Sequence, residues 1–227
     1  MATLALDRKD NVHVLTLVNG DRDNTFNLEV LAEWNAAFDT ISAGTGDASL
    51  LIRCEHPKTF CNGIDLQWLM KQPPETVATF VRELENLLLR VATLNLPVVA
   101  AINGNAYAGG ALLANACDFR LMRADRGRLC YSEINIRMAF TPVMFEIARL
   151  QHDAGTVWEM TMTGRALGGE ECAQRRVVDR ALPLEQLDAE AMKLAMELAT
   201  KHRPTYTQLK RGLRTAVVAL ARERGVP

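Results

Sequence analysis

The stretch Pro97-Val98-Val99-Ala100-Ala101-Ile102-Asn103-Gly104-Asn105-Ala106-Tyr107-Ala108-Gly109-Gly110-Ala111-Leu112-Leu113-Ala114-Asn115-Ala116-Cys117-Asp118 decides the reading of this chain. Its apolar start predicts a buried strand, and the small residues after it predict a turn. A helix then opens at Gly109-Gly110 and carries no charge until Asp118. A helix this apolar lies inside a protein. Backbone N–H groups in a first helical turn have no intrahelical partner, so those of Gly109 and Gly110 can point at an external oxygen. Three readings fit these residues. Gly-Gly can serve tight helix–strand packing, or it can present donors to an anion or oxyanion. Gly104-x-Ala106-x-x-Gly109 is also a degenerate dinucleotide fingerprint, lacking its middle glycine.

A second segment shifts the balance. Ser49-Leu50-Leu51-Ile52-Arg53-Cys54 reads as a strand and leads through Phe60-Cys61 to Asn62-Gly63-Ile64-Asp65-Leu66. Asn62-Gly63 signals a turn, and Asp65 is placed to cap a following helix. The N–H of Ile64 is then exposed at another strand-to-helix junction. Two such junctions in one domain can offer one donor each to a single oxygen.

These residues resemble the enoyl-CoA hydratase/isomerase family, or crotonase superfamily. The resemblance rests on Phe60-Cys61-Asn62-Gly63-Ile64-Asp65-Leu66, Asn103 through Gly110, and Ala116-Cys117-Asp118-Phe119-Arg120, and it extends over roughly residues 10–210. Val12 through Leu17 followed by Asp23-Asn24-Thr25-Phe26-Asn27 matches the first strand and loop; Thr163-Gly164-Arg165 and Val177-Val178-Asp179 match later segments. The resemblance implies stacked β-β-α units with a helical C-terminal region that supports trimer formation. It also implies an oxyanion hole for an acyl-CoA thioester, with Ile64 and Gly109 as its backbone donors.

Composition is ordinary for a soluble globular domain, and the alternation of strands and helices argues for an α/β fold. The chain has 227 residues, enough for one sizeable core, and 48% of them are hydrophobic. Its net charge of −1 gives no electrostatic reason to expect nucleic acid or an anionic membrane as partner. No spanning helix, signal-peptide pattern or peroxisomal C-terminal address is read, so a cytoplasmic location is expected. Cys54, Cys61, Cys117, Cys130 and Cys172 include no C-x-x-C and read as buried thiols in a reducing compartment. The histidines show no metal-ligand spacing, no metal is expected, and no G-x-S-x-G supports a serine-hydrolase elbow.

Periodicity predicts strands near 12–18, 49–54, 97–103, 119–123 and 177–181. It predicts helices near 28–42, 76–94, 109–116, 143–150, 153–162, 185–201 and 204–222. One domain over 1–227 is expected, with a β-β-α core to about 185 and C-terminal helices from about 186.

The chemistry turns on carboxylates. Glu133 sits among apolar residues in Leu129-Cys130-Tyr131-Ser132-Glu133-Ile134-Asn135-Ile136. Burial would raise its pKa and suit it to general-base work; a plain strand-end or helix-cap glutamate fits the sequence as well. The resemblance aligns Glu133 with the family's acid/base glutamate. Family hydratases carry a second glutamate two residues after the glycine pair, where this chain has Leu112. One acid beside an apolar neighbour resembles the Δ3,Δ2-enoyl-CoA isomerases of the superfamily. Dienoyl-CoA isomerases need an aspartate eight residues after the glutamate, where this chain has Thr141. Family members commonly have glycine at the position of Arg137, whose side chain has three destinations: the pocket mouth, a neighbouring subunit or solvent.

The resemblance also implies substrate contacts for Arg22, Asn24, Phe26, Gly63, Asp65, Leu66, Ala108, Gly110 and Leu112. Lys210 and Arg211 either reach CoA or form a charged helix face. The expected partner is an acyl-CoA thioester, with CoA part of the substrate and no separate cofactor. The expected assembly is a homotrimer or a dimer of trimers. The leading expectation is an isomerase of fatty acid metabolism and β-oxidation that shifts a 3,4 double bond to 2,3. The rivals are a hydratase or other thioester-enolate enzyme, and a non-catalytic CoA-binding or scaffold member.

Overall fold

Largely apolar runs at Val12–Leu17, Ser49–Cys54 and Val98–Ile102 form three neighbouring strands of the six-stranded main sheet. The computed structural model describes residues 2–226. Its strands are β1 (Leu4–Lys9), β2 (Val12–Leu17), β3 (Ser49–Cys54), β4 (Thr59–Cys61), β5 (Val98–Ile102), β6 (Asn105–Tyr107), β7 (Phe119–Arg123), β8 (Arg128–Cys130), β9 (Leu167–Gly168) and β10 (Arg180–Leu182). Its helices are α1 (Leu28–Ser42), α2 (Leu66–Leu69), α3 (Pro74–Thr93), α4 (Gly109–Ala116), α5 (Pro142–Ala148), α6 (Ala154–Thr163), α7 (Gly169–Gln174), α8 (Leu184–Leu198), α9 (Arg203–Leu213) and α10 (Thr215–Glu223).

The large sheet runs β1-β2-β3-β5-β7-β10, parallel apart from the β1–β2 pair. The small sheet runs β4-β6-β8-β9, parallel apart from β8–β9. Thus β3–β4, β5–β6 and β7–β8 each place one strand in each sheet and then continue into helix. This is the expected β-β-α repeat, and it lines up the ends of β4, β6 and β8 on neighbouring strands.

Side-chain alternation explains why the large sheet is apolar on both faces. Leu50, Ile52, Val98, Ala100 and Ile102 face the main core under α1, α3 and α4. Val12, Val14, Leu51, Val99, Ala101 and Leu121 face Leu187, Ala191, Ala195 and Leu198 of α8. The Ser49 hydroxyl donates to the Ala195 carbonyl at 2.7 Å and ties α8 to the sheet. Helix α8, which begins close to the expected junction near 185, belongs to the sheet packing, whereas α9 and α10 pack toward α3.

Several expected boundaries shift by one to three residues, and two differences have a visible cause. The strand expected at 177–181 is β10, Arg180–Leu182, because the N–H groups of Val177 and Val178 both donate to the Cys172 carbonyl in a turn. The helix expected at 204–222 breaks at Arg214, whose φ of −118° and ψ of 40° leave the helical region. Its guanidinium instead binds the carbonyls of Ala92, Ala116 and Cys117 and pairs with Asp118. Lys210 is buried and pairs with the same carboxylate at 2.8 Å. Lys210 is therefore an anchor for the C-terminal helices and is not exposed to a ligand; Arg211 is on the exposed face. Among the described residues, no helix is long and apolar enough to cross a membrane.

Candidate active site

The first donor turn follows β4. Gly63 has a φ of 76°, a conformation glycine adopts without strain. Phe26 makes a parallel bridge to Ile64: its N–H donates to the Gly63 carbonyl at 2.7 Å, and its carbonyl accepts from the Asp65 N–H at 2.9 Å. In such a bridge the central residue's own N–H points the other way, so the Ile64 donor faces away from Phe26. The Asp65 carboxylate accepts from the Trp68 N–H at 2.9 Å and caps α2.

The second donor turn follows β6. Gly109 is the first residue of α4, where its N–H has no acceptor within the helix. All eight residues of α4 are buried. Ala108, just before it, holds a φ of 49° and a ψ of −122°, a region strained for a residue with a Cβ. Its N–H donates to the Cys130 carbonyl at 2.9 Å, which pins the turn to the end of β8.

The two turns touch. A methyl group on Gly63 would lie 2.6 Å from the Gly109 nitrogen and 2.9 Å from the Tyr107 carbonyl oxygen. Glycine at 63 therefore lets the turns approach and leaves the Gly109 N–H uncovered. The glycine pair divides its work. A methyl on Gly110 would lie 2.0 Å from the Cys61 carbonyl oxygen, so that residue serves close helix–strand packing. A methyl on Gly109 would meet only ordinary contacts of 3.4–3.6 Å, to Gly63 and the Phe26 ring.

Glu133 opens a short 3-10 turn, Glu133–Ile136, three residues beyond the Cys130 carbonyl that holds Ala108. It is buried, and its Oε2 has no hydrogen-bond partner among the described residues. Desolvation pushes its carboxyl up to about 7, against the lowering effect of its own backbone N–H. Arg137 closes this turn in the left-handed region, with a φ of 59°, and its N–H donates to the Glu133 and Ile134 carbonyls. That backbone accounts for the glycine preference at this position. The Arg137 side chain is exposed on this chain. Thr141 caps α5 by accepting from the Met144 N–H at 3.3 Å.

The raised Glu133 pKa makes a signed prediction. If the ionised form is the working base, kcat/KM rises with pH along an acid limb centred near 7. Stability moves the opposite way. The contribution of the protonated acid is fully present below about 4.5 and is lost as pH rises through about 7. Unfolding measured against pH for the wild type and Glu133→Gln checks this: only the wild type should lose that contribution.

An open cleft of about 640 Å³ runs past the first donor turn, lined by Arg22, Asn62, Ile64, Asp65, Leu66, Trp68 and Lys71 among others. It contains the expected Arg22, Ile64, Asp65 and Leu66, but Gly109, Leu112 and Glu133 are not on its wall. Trp68 and Lys71 escaped the sequence reading; the Asp65 cap was the signal for Trp68, which α2 carries to the cleft, whereas Lys71 follows in the turn beyond that helix.

Three expected contacts have other surroundings. Asn24 is buried, with its amide donating to Cys54 Sγ at 3.0 Å and to the Phe60 carbonyl at 2.9 Å. Phe26 is fully buried and packs edge-on to Trp34. Leu112 is fully buried in the main core. These residues hold the site's framework in this structure and do not line the open cleft. Among the described residues, no group of His, Cys, Asp or Glu stands together as a metal site.

The chain is similar to known proteins in sequence and fold. The family described as Enoyl-CoA hydratase/isomerase matches residues 7–226. Over 182 residues the chain is 28% identical to enoyl-CoA delta isomerase 2, peroxisomal, of Arabidopsis thaliana, covering 78% of this chain and 75% of that protein. It is 31% identical over 220 residues to a putative enoyl-CoA hydratase of Thermus thermophilus, covering 96% and 85%. The fold matches a solved enoyl-CoA hydratase/isomerase family protein from Pseudomonas syringae with a TM-score of 0.87 at 23% identity, covering 98% of this chain and 97% of that one. Over nearly its whole length, then, the chain belongs to the enoyl-CoA hydratase/isomerase, or crotonase, family.

Proposed function

We propose that this enzyme is a Δ3,Δ2-enoyl-CoA isomerase. The observation that carries the reading is the lone, unpartnered Glu133 acid, joined to a donor turn whose α4 helix has buried Leu112 where family hydratases have their second glutamate. The ionised Glu133 removes a proton from C2 of a 3-enoyl thioester. Negative charge moves onto the thioester oxygen, between the N–H groups of Ile64 and Gly109. The dienolate then takes the same proton back from Glu133 at C4, leaving the double bond between C2 and C3. Each oxyanion donor is worth about 10²–10³ in kcat. Adding water would require a further group to orient and deprotonate it, and Leu112 supplies none.

The cleft is the proposed path for CoA, with the exposed Arg22 at its rim and Lys71 beside it as partners for phosphate. No separate cofactor enters this reaction. Assembly into a homotrimer or dimer of trimers is supported by Leu209 and Leu213 on α9, 63% and 88% exposed. A reducing, cytoplasmic setting and a place in fatty acid β-oxidation complete the reading, the former supported by five free, buried cysteines.

Mixing the protein with a 3-enoyl-CoA and following the ultraviolet absorbance of the conjugated 2-enoyl thioester tests the proposal. Growth of that absorbance is expected. Tight acyl-CoA binding with no absorbance change would favour the scaffold reading.

A further inference from the structure

We infer that Phe26 is a positioning residue that sets the spacing between the two oxyanion donors. The inference rests on the proposed function and adds a task that the donor turns do not perform themselves. Two independent contacts converge on this residue. Its backbone brackets Ile64, through the hydrogen bonds to Gly63 and Asp65 at 2.7 and 2.9 Å, and so fixes where the Ile64 N–H points. Its ring edge lies beneath the other turn: Cδ2 and Cε2 are each 3.6 Å from where a Cβ of Gly109 would stand.

One side chain and its own peptide groups thus join the two junctions, although they come from different β-β-α units. The ring has no freedom to drift. It is fully buried, and Trp34 meets it edge-on with ring centroids 6.5 Å apart. Asn24, two residues earlier, fastens the same loop to β4 through the Phe60 carbonyl. The loop is therefore tied to the strand that delivers the first donor while its ring supports the second. A smaller side chain at 26 leaves Ile64 bracketed but removes the floor under Gly109. Donor separation should then relax while the cleft that binds CoA keeps its walls, because Phe26 is not among them.

The test uses hexanoyl-CoA carrying carbon-13 at its thioester carbonyl, bound to the full chain and observed by infrared difference spectroscopy. Wild type should lower the carbonyl frequency relative to free ligand. Phe26→Leu should retain less than half of that lowering, with kcat for 3-enoyl-CoA down by about 10–10²-fold and KM within about threefold. Phe38→Leu is the control, since Phe38 is equally buried and also packs on Trp34. It should lose comparable thermal stability and keep the full shift. Phe26→Met carries the same expectation if the leucine variant does not fold. A folded Phe26 variant with the wild-type carbonyl shift and kcat overturns the inference. Absence of any shift in wild type would overturn the donor pair itself, and with it the role of Phe26.

Discussion

Glu133→Gln should lower isomerase turnover by about 10²–10⁴-fold, the usual effect of losing a general base. Acyl-CoA affinity should stay within a few-fold. Glutamine is nearly isosteric, so the 3-10 turn and the Arg137 closure behind it should survive. The substitution removes only the ability to take and return a proton. It also removes the burden of a buried charge, so the variant should melt no lower than wild type at pH above 7. Single-turnover assays beside thermal melts check both halves. Near-wild-type turnover would remove Glu133 from the mechanism.

Gly63→Ala should be nearly as damaging, although residue 63 performs no chemistry. Its methyl would lie 2.6 Å from the Gly109 nitrogen, on the side where the donors converge. The φ of 76° adds a backbone cost of about 1 kcal/mol for a residue with a Cβ. With the Gly109 donor covered, kcat should fall by about 10²–10³-fold. Circular dichroism separates a blocked site from a misfolded one. A folded variant with full kcat would show that the oxyanion does not lie between these turns.

The sequence and structure agree most closely where apolar runs are long and capped. Helix α1 begins where Asn27 accepts from the Val30 N–H at 2.9 Å, and its range matches the expected 28–42. Strand β3 also occupies its expected residues, since four of its six side chains are apolar and both faces are buried. The small sheet was not legible. Its strands have two or three residues, too few to show a period of two. The proposed donors, Ile64 and Gly109, come from glycine turns and the family resemblance, but the packing role of Gly110 depends on a carbonyl of Cys61 far away in sequence. Ala108 gave no signal of its strained backbone, because nothing in an alanine announces a positive φ. Lys210 looked like one more charge on a helix; its burial depends on Asp118, 92 residues away. Asn24 and Phe26 were drawn to the substrate by resemblance, whereas their burial assigns them to the framework beneath it.

The central claim is that one buried carboxylate, with Leu112 where family hydratases carry their second glutamate, makes an isomerase. The most direct test compares two rates with the same purified wild-type protein: conversion of a 3-enoyl-CoA to its 2-enoyl isomer, and hydration of that 2-enoyl-CoA. The account predicts that isomerisation is far the faster of the two. Efficient hydration with no shift of the 3-enoyl double bond would contradict it and make the chain a hydratase.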